Sequence, residues 1–224
     1  MKKIEVIRQI HKYGVVAVLR GNTVEEAVEA AEQAIAGGIK IIELTMTVPY
    51  ALQAIEQLAK KYSSTTAEAD KFAVIGAGTV LDPETARAAI LSGAEFVVGP
   101  CLNPATATLC NRYRIPVMPG IMTVKEAQEA LELGVDIVKL FPGNLYSPSI
   151  INSLKGPLPQ LNIMPTGGVS LNNLEDWITA GAVAVGIGSD LTAEAAKTRN
   201  YGLVAEKAQQ YMDAYHRAIA KRDL

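Results

Sequence analysis

The chain of 224 residues is poor in the residue types that most often mark a site: it has two cysteines, two histidines and one tryptophan. Cys101 and Cys110 form neither a CxxC pattern nor a zinc-ligand spacing, which argues against a disulfide framework and for reduced thiols. His11 and His216 leave too little for a histidine-rich metal centre, and the scattered acidic residues offer no metal cluster. An excess of one charge is also missing. With 21 basic and 23 acidic residues the formal net charge is −2, so nothing is available to neutralise a nucleic-acid backbone, and no Lys/Arg run suits a membrane surface. The opening MKKIEVIRQIHKYG begins with lysines as a signal peptide does. Glu5, Arg8 and Lys12 interrupt its apolar residues, however, and no later stretch is long enough to span a bilayer. These absences predict a cytoplasmic protein with a small-molecule partner, no nucleic acid and no membrane.

What the chain does have is a repeated architecture. Four helix-like stretches end in glycine and run straight into apolar segments: AGGIKIIELT, LSGAEFVVGP, LELGVDIVKLF and TAGAVAVGIGS. In each, glycine supplies a left-handed helix end and β-branched residues then favour a strand. Between them lie GVVAVLRG, KFAVIGAGT, RIPVMPGI and LNIMPTGG, which end in Gly- or Pro-containing loops, giving eight strands in all. The intervening helices carry start signals, with Thr23 as N-cap and Glu26 completing a capping box, and Asp82 as cap before Pro83. Short, nearly all-apolar strands alternating with helices imply a parallel sheet covered on both faces. A doubly wound dinucleotide fold would show G-x-G-x-x-G after the first strand, where this chain reads LRGNTVEEA. The expected fold is therefore α/β, a (β/α)8 TIM barrel with an extra N-terminal helix and a C-terminal helical extension, formed as one domain over residues 1–224. The stretch SSTTAEAD, residues 63–70, reads as a polar loop tolerant of insertion.

In such a barrel the site forms at the C-terminal ends of the strands. The polar residues there are Arg20; Glu43, Thr45 and Thr47; Thr79; Lys139; Thr166, Gly167 and Gly168; and Gly188 with Ser189. Two stand out. Lys139 follows Ile137 and Val138, and Glu43 follows Ile41 and Ile42, so each apolar strand carries one ionisable group near its functional end. Residues two apart share a face, which groups Glu43 with Ile41 and Thr45, and Lys139 with Ile137 and Phe141. If those faces point inward, the two charges converge. A buried ion pair without chemistry is the plain alternative, but such pairs gain little over apolar packing. The functional reading is Schiff-base catalysis: a desolvated lysine amine attacks a ketone, and a nearby carboxylate moves the protons. The glycines after strands seven and eight point to a phosphate held by backbone N–H groups, with Ser170 available to cap the helix that follows. A phosphorylated keto compound is implied.

At these residues the sequence resembles a family. VVAVLRGNTVEEA, GGIKIIELTMTVP, IGAGTVLDPE, MPGIMTVKEA, VKLFPGN, MPTGGVSLNN and VGIGSDL are similar, in order, to the bacterial 2-keto-3-deoxy-6-phosphogluconate (KDPG) and 4-hydroxy-2-oxoglutarate (KHG) aldolases, over about residues 10–192. The resemblance implies that Lys139 forms the Schiff base and Glu43 is general base and acid. It assigns Thr79 to the pyruvate part and Gly167, Gly168, Gly188 and Ser189 to phosphate. Phe141 and Thr166 join Arg20 and Thr79 at the carboxylate and pyruvate end. Some members place a carboxylate-binding arginine four residues after the glutamate; here that position is Thr47, and Arg20 resembles the arginine other members use. The resemblance also implies a homotrimer and chemistry that needs no metal and no cofactor, because the iminium withdraws the electrons.

Three other functions remain open on the residues alone. One is an aldolase of the same family acting on another 2-keto-3-deoxy sugar acid. Another is a phosphate-binding barrel epimerase or decarboxylase whose lysine acts without an imine. The third is a non-catalytic sugar-phosphate-binding barrel. Cys101, at the end of strand four, lacks a partner histidine and reads as a packing residue, as do the two histidines.

Overall fold

The computed structural model describes residues 2–63 and 71–222, so all of the polar stretch 63–70 except Ser63 lies outside the described residues. Nine short strands follow one another: β1 (Val15–Leu19), β2 (Ile41–Thr45), β3 (Val74–Gly78), β4 (Phe96–Val98), β5 (Val117–Met118), β6 (Gly120–Ile121), β7 (Val138–Leu140), β8 (Ile163–Pro165) and β9 (Val185–Ile187). The helices are α1 (Lys2–Tyr13), α2 (Val24–Ala36), α3 (Ala51–Tyr62), α4 (Pro83–Leu91), α5 (Pro104–Arg112), α6 (Val124–Glu132), α7 (Ile150–Lys155), α8 (Leu174–Thr179), α9 (Ser189–Thr198) and α10 (Gly202–Arg222).

All strand pairs are parallel, in the orders β5-β4-β3-β2-β1-β9 and β6-β7-β8. Two joints close the ring. A bridge between Thr166 and Gly186 links the end of β8 to β9. On the other side, the fifth sequence strand is cut in two at Pro119, which has no N–H for a ladder. Before it, Met118 accepts from Gly99 of the β4 side; Pro119 itself accepts from Lys139 of β7. The predicted barrel of eight strands is thus present, with strand five changing partner at its proline.

The glycines expected to end helices do so: Gly38, Gly93, Gly134 and Gly181 all have positive φ. Asp82 caps α4 through the Thr85 N–H, with Pro83 in the first turn. Thr23 accepts from the Glu26 N–H as predicted, but the Glu26 carboxylate takes the N–H of Asn22, one residue outside a true capping box. The full reciprocal box occurs instead at Thr123 and Glu126.

Alternation along the strands separates two cores. Ile42, Leu44, Val138, Leu140 and Ile163 pack outward against the helices. Val16, Ile41, Val74, Phe96, Ile137 and Met164 fill the interior, together with Val6 and Ile10 of α1, which plugs the N-terminal end. Lys2 and Lys3 fasten that plug to Glu95 at 3.4 Å and Asp136 at 2.8 Å. Apolar residues therefore occupy the lower barrel, and the next inward positions up β2 and β7 are Glu43 and Lys139. At the far end of the chain α10 packs on α8, α2 and α9. Among the described residues no helix is long and apolar enough to cross a membrane.

Candidate active site

Glu43 follows Ile41 on the inner face of β2, and Lys139 follows Ile137 on the inner face of β7, so the period of two brings both charges into the barrel. Lys139 Nζ lies 3.5 Å from Glu43 Oε1, with side chains 6% and 0% exposed. That distance gives attraction without a strong hydrogen bond, and neither Glu43 oxygen has a hydrogen-bond partner. A buried acceptor left unmade costs about 1–3 kcal/mol, so this pair is poorly explained as a stabilising device. The Phe141 ring faces Lys139 Nζ at 5.1 Å from its centroid. Gly78 makes room for the carboxylate: a Cβ there would lie 2.0 Å from Glu43 Oε1.

Above the pair opens a cavity of ≈ 620 Å³, and every sequence-predicted site residue lines it: Arg20, Glu43, Thr79, Lys139, Phe141, Thr166, Gly167, Gly168, Gly188 and Ser189. Arg20 is exposed at the rim, and no carboxylate of the described residues pairs with it. Thr79 sits at φ 57, a left-handed backbone that is strained for a β-branched residue and is the kind of outlier found at ligand sites. Thr166 Oγ1 is buried without a partner. Thr45 and Thr47, by contrast, bond to each other at 2.7 Å and do not line the cavity.

The two glycine loops form the other end. Gly167 and Gly168 have φ of 90° and 75°, open to glycine at little cost, and a Cβ on Gly168 would lie 2.7 Å from Asn144 Cβ. Ser170 does not cap the next helix as expected. Its N–H donates to Asn173 Oδ1 while Asn173 Nδ2 donates to the Gly168 carbonyl, both at 2.9 Å, so Asn173 ties the loop from behind. Across the cavity α9 begins at Ser189; the Leu191 N–H turns back to the Gly188 carbonyl at 3.0 Å, and the N–H groups of Ser189 and Asp190 before it lie ahead of any helical acceptor, the usual basis of an anion site.

Sequence reasoning missed Asn173, the walls Val18, Pro100, Val169 and Ala193, and above all Asp190, a carboxylate on the same cavity. Among the described residues no group of three or more His, Cys, Asp and Glu is arranged to hold a metal ion.

Fold and cavity together define an α/β-barrel enzyme. The model of the KDPG and KHG aldolase family matches residues 6–206, and the chain belongs to that family; it is an aldolase, a lyase. It is 34% identical to a 2-dehydro-3-deoxy-6-phosphogalactonate aldolase of Escherichia coli over 93% of this chain and 97% of that one. A KDPG aldolase from Legionella pneumophila, solved with pyruvate captured as a covalent carbinolamine intermediate, is 30% identical with a TM-score of 0.78 over 88% of this chain and 93% of that one. A cage designed by fusing symmetric oligomeric domains contains a chain 33% identical to this one, with a TM-score of 0.85 over 95% of this chain and 75% of that one.

Proposed function

We propose that the chain is a class I aldolase cleaving 2-keto-3-deoxy-6-phosphogluconate to pyruvate and glyceraldehyde 3-phosphate through a Schiff base on Lys139. The observation that carries this reading is the buried Lys139–Glu43 pair at 3.5 Å on the floor of the cavity. The Lys139 amine attacks C2, water is lost, and the iminium forms. Glu43 takes the proton of the C4 hydroxyl; the C3–C4 bond breaks and its electrons move into the iminium to give an enamine. The aldehyde leaves, Glu43 returns a proton to C3, and water releases pyruvate. Arg20, Thr79, Phe141 and Thr166 surround the pyruvate end, and Gly167, Gly168, Gly188 and Ser189 receive the phosphate. The same steps convert 4-hydroxy-2-oxoglutarate to pyruvate and glyoxylate. The covalent pyruvate adduct of the Legionella relative supports the amine chemistry.

The similarity to the phosphogalactonate aldolase favours a second substrate, the galactonate epimer. It differs in configuration at the carbon whose hydroxyl Glu43 must deprotonate, so kcat/KM for the two epimers decides between them. For assembly we infer a homotrimer. The designed cage related to this chain was built from symmetric oligomeric domains, and this barrel exposes large apolar side chains, Tyr50, Leu81 and Leu145 of its rim loops among them.

Pyruvate with borohydride should leave a stable adduct on Lys139, placed by peptide mass mapping. Lys139→Ala should abolish cleavage and trapping. Glu43→Gln should keep trapping but lose about 10²–10⁴-fold in turnover, the usual cost of removing a general acid–base group. An adduct on another lysine, or near-normal turnover in Glu43→Gln, sinks the assignment.

A further inference from the structure

Asp190 is the residue that the aldolase reading leaves unexplained. It lines the cavity between Ser189 and Ala193, at the end formed by Gly167, Gly168 and Gly188. It also lies in the first turn of α9, where a negative side chain is favoured by the same N–H groups that would bind a phosphate. A carboxylate there competes with the phosphate for those donors and repels it. Two residues of α10 offset this, and both act on one oxygen. Lys207 Nζ lies 3.1 Å from Asp190 Oδ2, and the Tyr211 hydroxyl donates to the same atom. Residues 207 and 211 are one helical turn apart, so a single face of α10 carries both. Tyr211 is fully buried. Burial, then its bond to Asp190, push its phenol far above the ordinary value, so it stays protonated and donates at any working pH.

We propose that Lys207 and Tyr211 hold Asp190 as a charge-balanced wall of the phosphate end, which makes the C-terminal helix a determinant of affinity for the phosphorylated substrate. The proposal rests on the phosphorylated keto-acid reading above. Lys207 does not itself line the cavity; it is a positioning residue that acts through Asp190. Without its ammonium the carboxylate faces the phosphate uncompensated, and the loss falls only on substrates that carry phosphate. Asp190 Oδ2 is committed to α10, which also fixes the turn that presents Gly188 and Ser189.

The test compares 2-keto-3-deoxy-6-phosphogluconate with its phosphate-free counterpart, 2-keto-3-deoxygluconate, on the full chain. Lys207→Met should raise KM for the phosphorylated substrate about fivefold, the upper range for a partly exposed ion pair. It should leave kcat, the KM of the phosphate-free substrate and borohydride trapping of pyruvate at their wild-type values. Lys207→Arg should stay close to wild type. Adding Asp190→Asn to Lys207→Met should recover most of the lost affinity, because the uncompensated charge is gone while Tyr211 still has an acceptor. Equal KM changes for both substrates, no change for either, or a double variant worse than the single one overturns the proposal. Failure of the functional reading shows separately, in the wild type, as no adduct on Lys139 or no advantage for the phosphorylated substrate.

Discussion

The chemistry of single residues accounts for what could be read ahead of the structure at this site. Lys139 and Glu43 stand out because each is the one ionisable group in an otherwise apolar strand, and burying a charge has a cost that function must justify. Arg20 and Thr79 are found by their place just beyond a strand. Asp190 and Asn173 were not found, since their roles depend on partners that only packing reveals: Asp190 meets α10, and Asn173 turns back on Gly168 and Ser170. Arg20 carries a prediction of its own. It lines the cavity without a carboxylate partner, while Thr47, at the alternative arginine position, bonds to Thr45 outside the cavity. A guanidinium holds a carboxylate by two charge-assisted hydrogen bonds. Arg20→Ala should therefore weaken pyruvate binding about ten- to a hundredfold, since a hydrogen bond to a charged group contributes about 1.5–3 kcal/mol. Arg20→Lys should recover only part of this, lacking the planar fork. Pyruvate affinity measured by trapping rate against concentration checks this; wild-type behaviour in Arg20→Ala moves the clamp elsewhere.

Among the elements, strands were readable wherever a helix ended in glycine and an apolar run began. The split of strand five was not, because RIPVMPGI carries Pro119 without showing that the chain changes neighbours there. The plug formed by α1 was expected only as an extra helix; that it fills the barrel floor follows from Val6 and Ile10 meeting Val16, Ile41 and Phe96. Its fastening has a pH dependence. Glu95 is buried with Oε2 unpartnered, and its partner Lys2 is half exposed. Burial raises the Glu95 carboxyl above its ordinary value, outweighing Lys2. A carboxyl whose folded pKa is raised contributes stability that is complete below its unfolded value and is lost as pH rises through the folded one. Glu95→Gln removes that loss. It should raise the thermal midpoint at neutral pH, and the gain should close as pH falls below about 4, the ordinary carboxylate range. A midpoint difference that does not change with pH would show that Glu95 is not the titrating group.

On the scale of the whole molecule, the catalytic rim divides into two halves. Arg20, Gly167, Gly168 and Ser189 follow β1, β8 and β9, which are neighbours in the ring. Tyr50, Leu81, Met122, Val124 and Leu145 follow β2, β3, β6 and β7 and are 76%, 57%, 41%, 44% and 62% exposed. The Tyr146 hydroxyl donates to the Met122 carbonyl, which draws the last of these loops together. Exposed apolar side chains on these loops offer an interaction surface, although Leu91 and Tyr113, at the far ends of α4 and α5, are exposed as well; closed symmetry is the commonest way for a chain to bury such a surface against copies of itself. In the homotrimer we infer, the exposed apolar side chains of these loops lie between subunits while Thr79 and Phe141, on two of the same loops, still line the cavity. All ten predicted site residues line the cavity within a single chain. Sedimentation of the wild type should therefore give about three times the chain mass of 23.8 kDa. Leu81→Glu combined with Leu145→Glu should give monomers, because a charge buried at each copy of the interface goes unpaired. Those monomers should still trap pyruvate on Lys139. A wild type that sediments as a monomer, or a double variant that remains trimeric, would place the assembly surface elsewhere; monomers unable to form the adduct would mean that the neighbour supports the cavity.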